Sequence, residues 1–356
     1  MMTGDKNHLN RRDVLKGIGI GAVGFALGGK IFRPARSLAA PGSPMVARNE
    51  LYQKQAPPAK VSLIKGNDRR DIVYQALKKI EDQILPSIGN KNILIKPNFV
   101  VTNRQLAATH VDAVRAILDF LEPHYKKQIL IGESTISEEG TFDGYKNYGY
   151  LPLETEYNVK LIDLNHQPWQ YRYVFGQGHR PTPIRIISTF LNPDLYIISA
   201  AKMKTHDRAV TTLSLKNVLL GAPLNDYTKN DKRLTHAAYN FSREALLHYN
   251  MFHLAQEIYP DLGVIDGFVA MEGNGPVGGT PVDARVALAS MDPLAMDILA
   301  TKIMGFDPGQ IMYLTAMAEA GMGQGDLNKI EVLGTPPAQC QYHFKPNRRM
   351  TEPYGL

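Results

Sequence analysis

Apolar and polar positions along this chain follow two alternating rhythms. Short β-branched runs are each followed by a stretch in which apolar residues recur at helical spacing. Residues 61–65 read as a strand, and Ile72, Ala76, Leu77, Ile80 and Ile84 place one apolar face on a helix over 71–84. A buried strand over 92–96 is stopped by Pro97, Thr109 offers the N-cap of a helix running to Leu121, and residues 128–132 form the next strand. Further strands are predicted over 159–163, 184–187, 195–200, 262–267 and 285–289, and helices over 245–258 and 292–304. Strand, helix, strand in this order predicts an α/β fold with a mainly parallel sheet and helices on both faces, as one domain or two closely packed lobes.

The first 39 residues break that rhythm. Asn10-Arg11-Arg12-Asp13-Val14-Leu15-Lys16 precedes a glycine-rich, weakly apolar run over 17–29, with further cations at Lys30, Arg33 and Arg36 and small residues at Ser37 and Ala39. Paired arginines before a weak apolar core fit a twin-arginine signal over 1–39. A linker over 40–60, an α/β domain over 61–334 and a proline-containing irregular tail over 335–356 then follow. The expected partner of the leader is the twin-arginine export machinery, and the expected location is periplasmic or otherwise extracytoplasmic. The apolar run falls short of the about 20 residues a bilayer crossing needs, so no stable membrane span is expected after cleavage.

The leader also changes the meaning of the charge. Of the formal +6, five charges lie in residues 1–39, leaving a near-neutral body. A near-neutral body without an aromatic-interleaved basic stripe excludes a nucleic-acid partner. The pattern Gly19-x-Gly21-x-x-Gly24 falls inside the leader and is coincidental. With Cys340 as the one cysteine, an intramolecular disulfide and a cysteine-ligated iron–sulfur cluster are both excluded.

Candidate chemistry gathers where predicted strands end, the place where open α/β sheets bind ligands. Lys202, Lys204 and His206 follow the run over 195–200 at alternate positions, Lys216-Asn217 comes ten residues later, and Lys96-Pro97-Asn98 ends another strand. Met271-Glu272-Gly273-Asn274-Gly275-Pro276-Val277-Gly278-Gly279 lacks the helix a dinucleotide fingerprint requires, but its amides suit an anion nest. These features define a candidate site for a small phosphate or carboxylate. Lys96, Asn98, Lys202, Lys216, Asn217, Gly273 and Gly275 are its binding candidates, and His206, Lys204, Glu272 and Asp266 its proton-transfer candidates. Solvated lysines, plain ion pairs and a tight glycine turn are the simpler alternatives. Glu133, Asp207 and Asp226 leave a divalent metal open without any fixed ligand spacing, while His248 and His253, five apart, do not share a helix face.

Taken in order, Ile95-Lys96-Pro97-Asn98, Ile131-Gly132-Glu133-Ser134, Lys202-Met203-Lys204-Thr205-His206, the segment 214–221, Val264-Ile265-Asp266-Gly267, Met271-Glu272-Gly273-Asn274-Gly275-Pro276 and Asp292-Pro293-Leu294-Ala295-Met296-Asp297 resemble the domain of unknown function 362 family over about residues 60–334. The resemblance brings no established reaction. It implies that these loops share one cleft of an α/β fold. Some relatives carry ferredoxin-like cysteine clusters, which do not transfer to a chain with one cysteine. Two functions follow as expectations: an exported enzyme acting on a small anion, or an extracytoplasmic protein that captures a ligand or metal without turnover.

Overall fold

The computed structural model describes residues 56–226, 228–236 and 243–350. The leader and most of the linker lie outside the described residues. Twelve strands are present among them: β1 (Ala59–Lys65), β2 (Asn92–Lys96), β3 (Ile129–Glu133), β4 (Val159–Asp163), β5 (Trp169–Phe175), β6 (Pro181–Ile187), β7 (Leu195–His206), β8 (Val210–Thr212), β9 (Leu262–Glu272), β10 (Thr280–Val282), β11 (Val286–Ser290) and β12 (Ile330–Gly334). Ten of them form a single sheet whose main path runs β12-β1-β11-β9-β7-β2-β3-β4, with β8 and β10 attached to β7 and β9, while β5 and β6 form a separate two-stranded ribbon. All pairings from β4 through β3, β2 and β7 to β9 are parallel, and only β11 runs against its neighbours on the main path. One sheet thus unites what the sequence left open as two lobes.

Side-chain alternation builds a core on each face. Ile93 and Ile95 of β2 join one apolar cluster with the helices Arg69–Lys78, Glu81–Ile88 and Val111–Leu121. Leu94 faces the other cluster, covered by the helices Ser214–Leu219, Arg243–Ala255, Pro293–Ile303 and Met312–Glu319. With both faces covered, the parallel strands read as continuous apolar runs.

Four expectations are corrected. The helix over 71–84 is two helices, because the chain breaks at Lys79 and Ile80 before Glu81–Ile88. His110, not Thr109, caps the helix Val111–Leu121, its Nδ1 accepting from Asp112 N at 3.2 Å. Thr109 is fully buried and instead donates to Ala200 O (2.7 Å) while accepting from Asn98 N (3.0 Å), tying β7 to the segment after β2. Strand β7 does not stop at Ala200; it continues through His206 into a hairpin with β8. Strand β9 likewise passes Gly267 and runs to Glu272, so Asp266 sits within a strand rather than at its end.

Candidate functional site

The carboxyl ends of β2, β3 and β7 place Lys96, Glu133 and His206 around a cavity of about 430 Å³, within the usual range for small-ligand sites. The helix Ser214–Leu219 adds Lys216 and Asn217, and the helix Asp231–Thr235 adds Lys232, Arg233 and the following His236. Asn98, Asp207, Arg208 and Pro276 add to the polar and loop lining.

A network of buried polar bonds fixes the floor. Lys96 Nζ donates to Glu133 Oε1 (2.8 Å), Pro97 O (2.9 Å) and Asn217 Oδ1 (3.1 Å). Glu133 also accepts from Phe99 N (2.7 Å) and Ser134 N (2.6 Å), so its charge has several donors. Asn217 uses its amide on Lys96 O (3.0 Å) and Ser199 Oγ (3.1 Å), and takes a bond from Asn98 Nδ2 (3.1 Å). Phe99 anchors the loop by edge contacts with Tyr145, Tyr148 and Tyr150 at 5.0 to 5.4 Å between ring centroids. Lys232 Nζ is equally committed, to Ser134 Oγ (3.0 Å), Gly221 O (2.7 Å) and Pro223 O (2.7 Å); burial and the nearby Lys96 push its pKa down to about 7.

Lys216 differs. It is 7% exposed and lines the cavity, and among the described residues its ammonium has no hydrogen-bond or ion-pair partner. Burial lowers its pKa to about 7, against the pull of Asp207 and with the push of Arg208. Asn98 Oδ1 is likewise buried without a partner among the described residues. His206 and His236 face one another with ring centroids 6.1 Å apart, and burial together with the Lys216 charge holds both below the ordinary histidine value, His236 at about 3.

Of the eleven binding and proton-transfer candidates read from the sequence, Lys96, Asn98, His206, Lys216 and Asn217 converge on this cavity. The other six lie elsewhere. Alternation was expected to aim Lys202, Lys204 and His206 the same way, but the pairing of β7 with β9 shifts register between Lys202 and Lys204. Lys202 pairs with Asp266 (3.2 Å), which also binds Arg69 (3.2 Å), while Lys204 Nζ donates to Ala107 O (2.5 Å). Asp266 accepts in addition from Phe268 N and His110 N, so it is a saturated buried acceptor. Glu272 accepts from Lys345 N (2.9 Å) in the C-terminal segment. The amides of Gly273 and Gly275 are occupied by Lys345 O (2.7 Å) and Gly273 O (2.8 Å), leaving no open nest. Gly275 is required for another reason: a Cβ there would lie 2.0 Å from Thr205 O. Among the described residues no group of three His, Cys, Asp or Glu side chains is placed to share a metal.

Sequence reasoning missed Lys232, His236, Arg208 and Arg233, and also the residue that holds Lys216 and Asn217 in place. Asp297, fully buried on the helix Pro293–Ile303, accepts from Ser214 N and Leu215 N, both at 2.9 Å, at the start of the helix carrying those two residues. Desolvation raises its pKa to about 8 in spite of the two amides. The second aspartate of Asp292-Pro293-Leu294-Ala295-Met296-Asp297 was the available signal, since Asp292 caps its own helix through Ala295 N and leaves Asp297 unexplained. Replacing Asp297 by Ala strands two buried donors at about 1 to 3 kcal/mol each. The expected loss is about 2 to 4 kcal/mol in urea unfolding, with an unchanged slope; a change within about 0.5 kcal/mol, the range of an ordinary surface substitution, is the contrary result.

With the cleft defined, its relatives can be placed. The chain belongs to the family described as Domain of unknown function (DUF362), which matches residues 93–302 and so includes β2 through the helix Pro293–Ile303. It is 26% identical over 234 residues to the Thylakoid-associated protein sll1697 of Synechocystis sp., covering 65% of this chain and 68% of that one. A Thermotoga maritima protein of solved structure aligns with a TM-score of 0.40 at 11% identity, over 72% of this chain and 59% of that chain. The lactate racemase apoprotein from Thermoanaerobacterium thermosaccharolyticum aligns at 0.37 and 15%, over 62% of this chain and 52% of that chain.

Proposed function

We propose that this protein binds a small phosphate- or carboxylate-bearing molecule in the cavity at the ends of β2, β3 and β7 and moves a proton on it. The observation that carries this reading is Lys216: a lysine only 7% exposed on the wall of a cavity that also holds Lys96, Lys232, Arg208 and Arg233, its ammonium without a hydrogen-bond or ion-pair partner among the described residues. A buried cation is costly unless paired, and an incoming anion supplies the missing partner. Neutral imidazoles beside that anion supply proton transfer, because an arriving negative charge raises their basicity. The supporting acids are Glu133 and Asp207 rather than Glu272 or Asp266, which are held outside the cavity.

The twin arginines of the leader support export as a folded protein to an extracytoplasmic compartment. Nothing in the donor set calls for a particular metal, and the anion reading stands without one.

Isothermal titration of the full chain with orthophosphate and with propanoate tests the reading. Saturable binding of one of them is expected, weakened at least about tenfold by Lys216→Met, the size of a lost charge-assisted contact. Equal affinity in the variant, or no binding of either anion, overturns it.

A further inference from the structure

The two imidazoles in the cavity are held in opposite tautomers. His236 Nδ1 lies 2.6 Å from Lys232 O; a carbonyl only accepts, so Nδ1 carries the hydrogen and Nε2 keeps its lone pair. His206 Nδ1 accepts from Arg208 N (3.1 Å) and Ala209 N (3.3 Å), so its hydrogen is on Nε2. Asp207 Oδ1 stands 3.3 Å from the same Nδ1 but makes no hydrogen bond with it. One ring therefore offers a donor and its neighbour an acceptor. Burial keeps both rings neutral, which preserves this polarity.

Asn98, on the cavity wall, carries a further unmatched acceptor, Oδ1, but this atom is buried beneath the wall, without a partner among the described residues. A carboxylate or a fully ionised phosphate would satisfy Lys216 and His206 Nε2–H, and would leave the His236 Nε2 acceptor bare. A ligand that also donates fits all of them. An ammonium donor is disfavoured beside Lys216, Lys96 and Lys232, where like charges repel at close range. A neutral donor is called for, and a hydroxyl is the smallest group that can accept from His206 and donate to His236 at once. The two rings stand on the cavity wall with centroids 6.1 Å apart and planes 23° from parallel.

We infer that the ligand of this cavity is a hydroxylated small anion, whose O–H accepts from His206 Nε2 and donates to His236 Nε2 while its anionic group meets Lys216. The inference rests on the anion-binding reading above and makes it more specific. A site built around a hydroxyl discriminates strongly against the analogue lacking it, because its polar groups are then left unpaired.

Matched ligand pairs separate the two claims: glycerol 3-phosphate against propyl phosphate, and glycerate against propanoate, titrated into the full chain. One hydroxylated member is expected to bind at least about tenfold tighter than its partner. In His236→Phe that preference should shrink by a larger factor than any loss of affinity for the deoxy analogue, and His206→Gln, which keeps an N–H donor, should retain part of it. The winning pair tells phosphate from carboxylate. If both members of every pair bind equally and Lys216→Met still abolishes binding, the anion site stands and the hydroxyl inference falls. Failure of all four ligands to bind removes both. Long-range proton–nitrogen NMR of histidine-labelled protein gives an independent check: two neutral rings, one Nε2–H and one Nδ1–H, are expected, and matching tautomers overturn the inference.

Discussion

Replacing Lys216 by Met is expected to make this protein more stable while costing it its anion. The Lys216 amine has an ordinary value of 10.5 and is pushed down to about 7 by burial, which corresponds to on the order of 4 to 5 kcal/mol charged against folding. The sign follows from proton counting. Between pH 7 and 10.5 the unfolded chain holds a proton at this site that the folded chain has released, so stability rises with pH across that window. Below about pH 7 both states are protonated and the penalty is complete. Methionine matches the length of the lysine stem and fills the same volume without the charge. Urea unfolding at pH 6, 8 and 9.5 should show the variant ahead by several kcal/mol at pH 6 and the gap closing as pH rises. A variant no more stable than the parent at pH 6 would mean that the ammonium is solvated rather than stranded. Lys232 shares the depressed value of about 7, yet its three close acceptors make its removal costly, so it is not a second case of the same kind.

This conflict between stability and binding is what a functional site imposes on a fold, and it explains which parts of the site were legible in the sequence. The strands β2 and β4 were readable to their ends because apolar runs closed by Pro97 or an aspartate are local signals. Lys96 and Asn98 followed at once, as polar residues at the end of such a run. For β7 the same reasoning stopped at Ala200, since Lys202, Lys204 and His206 in the next six residues read as a strand end opening onto a ligand site. Their burial depends on partners that the local sequence does not display: Asp266 lies 64 residues from Lys202, and Ala107 lies 97 from Lys204. The register shift between Lys202 and Lys204 is also a property of the pairing with β9, not of β7 itself. His236 and Lys232 were invisible for a different reason. They sit on and just after a five-residue helix, too short to show a periodic face, and belong to the site because that helix lines the same cavity as the strand ends.

Glu133 provides the sharpest separation of charge pairing from packing. It is buried beside Lys96, with side-chain exposures of 3% and 1%. Removing one member of a buried pair strands the other, at about 3 to 5 kcal/mol, whereas replacing both by apolar residues is often close to neutral. Glu133→Leu also leaves Phe99 N and Ser134 N without their acceptor, at about 1 to 3 kcal/mol each. The single variant is therefore expected to lose about 5 kcal/mol or more, enough to unfold many domains of ordinary stability at 25 °C. The double variant Glu133→Leu with Lys96→Met should regain about 2 to 4 kcal/mol of that, because the stranded ammonium is gone while the two amides stay unsatisfied. Paired urea titrations of the parent, both single variants and the double variant measure the coupling directly. A double variant no more stable than Glu133→Leu alone would show that the carboxylate acts chiefly through the Phe99 and Ser134 amides. In that case the role of Lys96 would be to face the ligand, and its loss should then weaken anion binding with little change in unfolding.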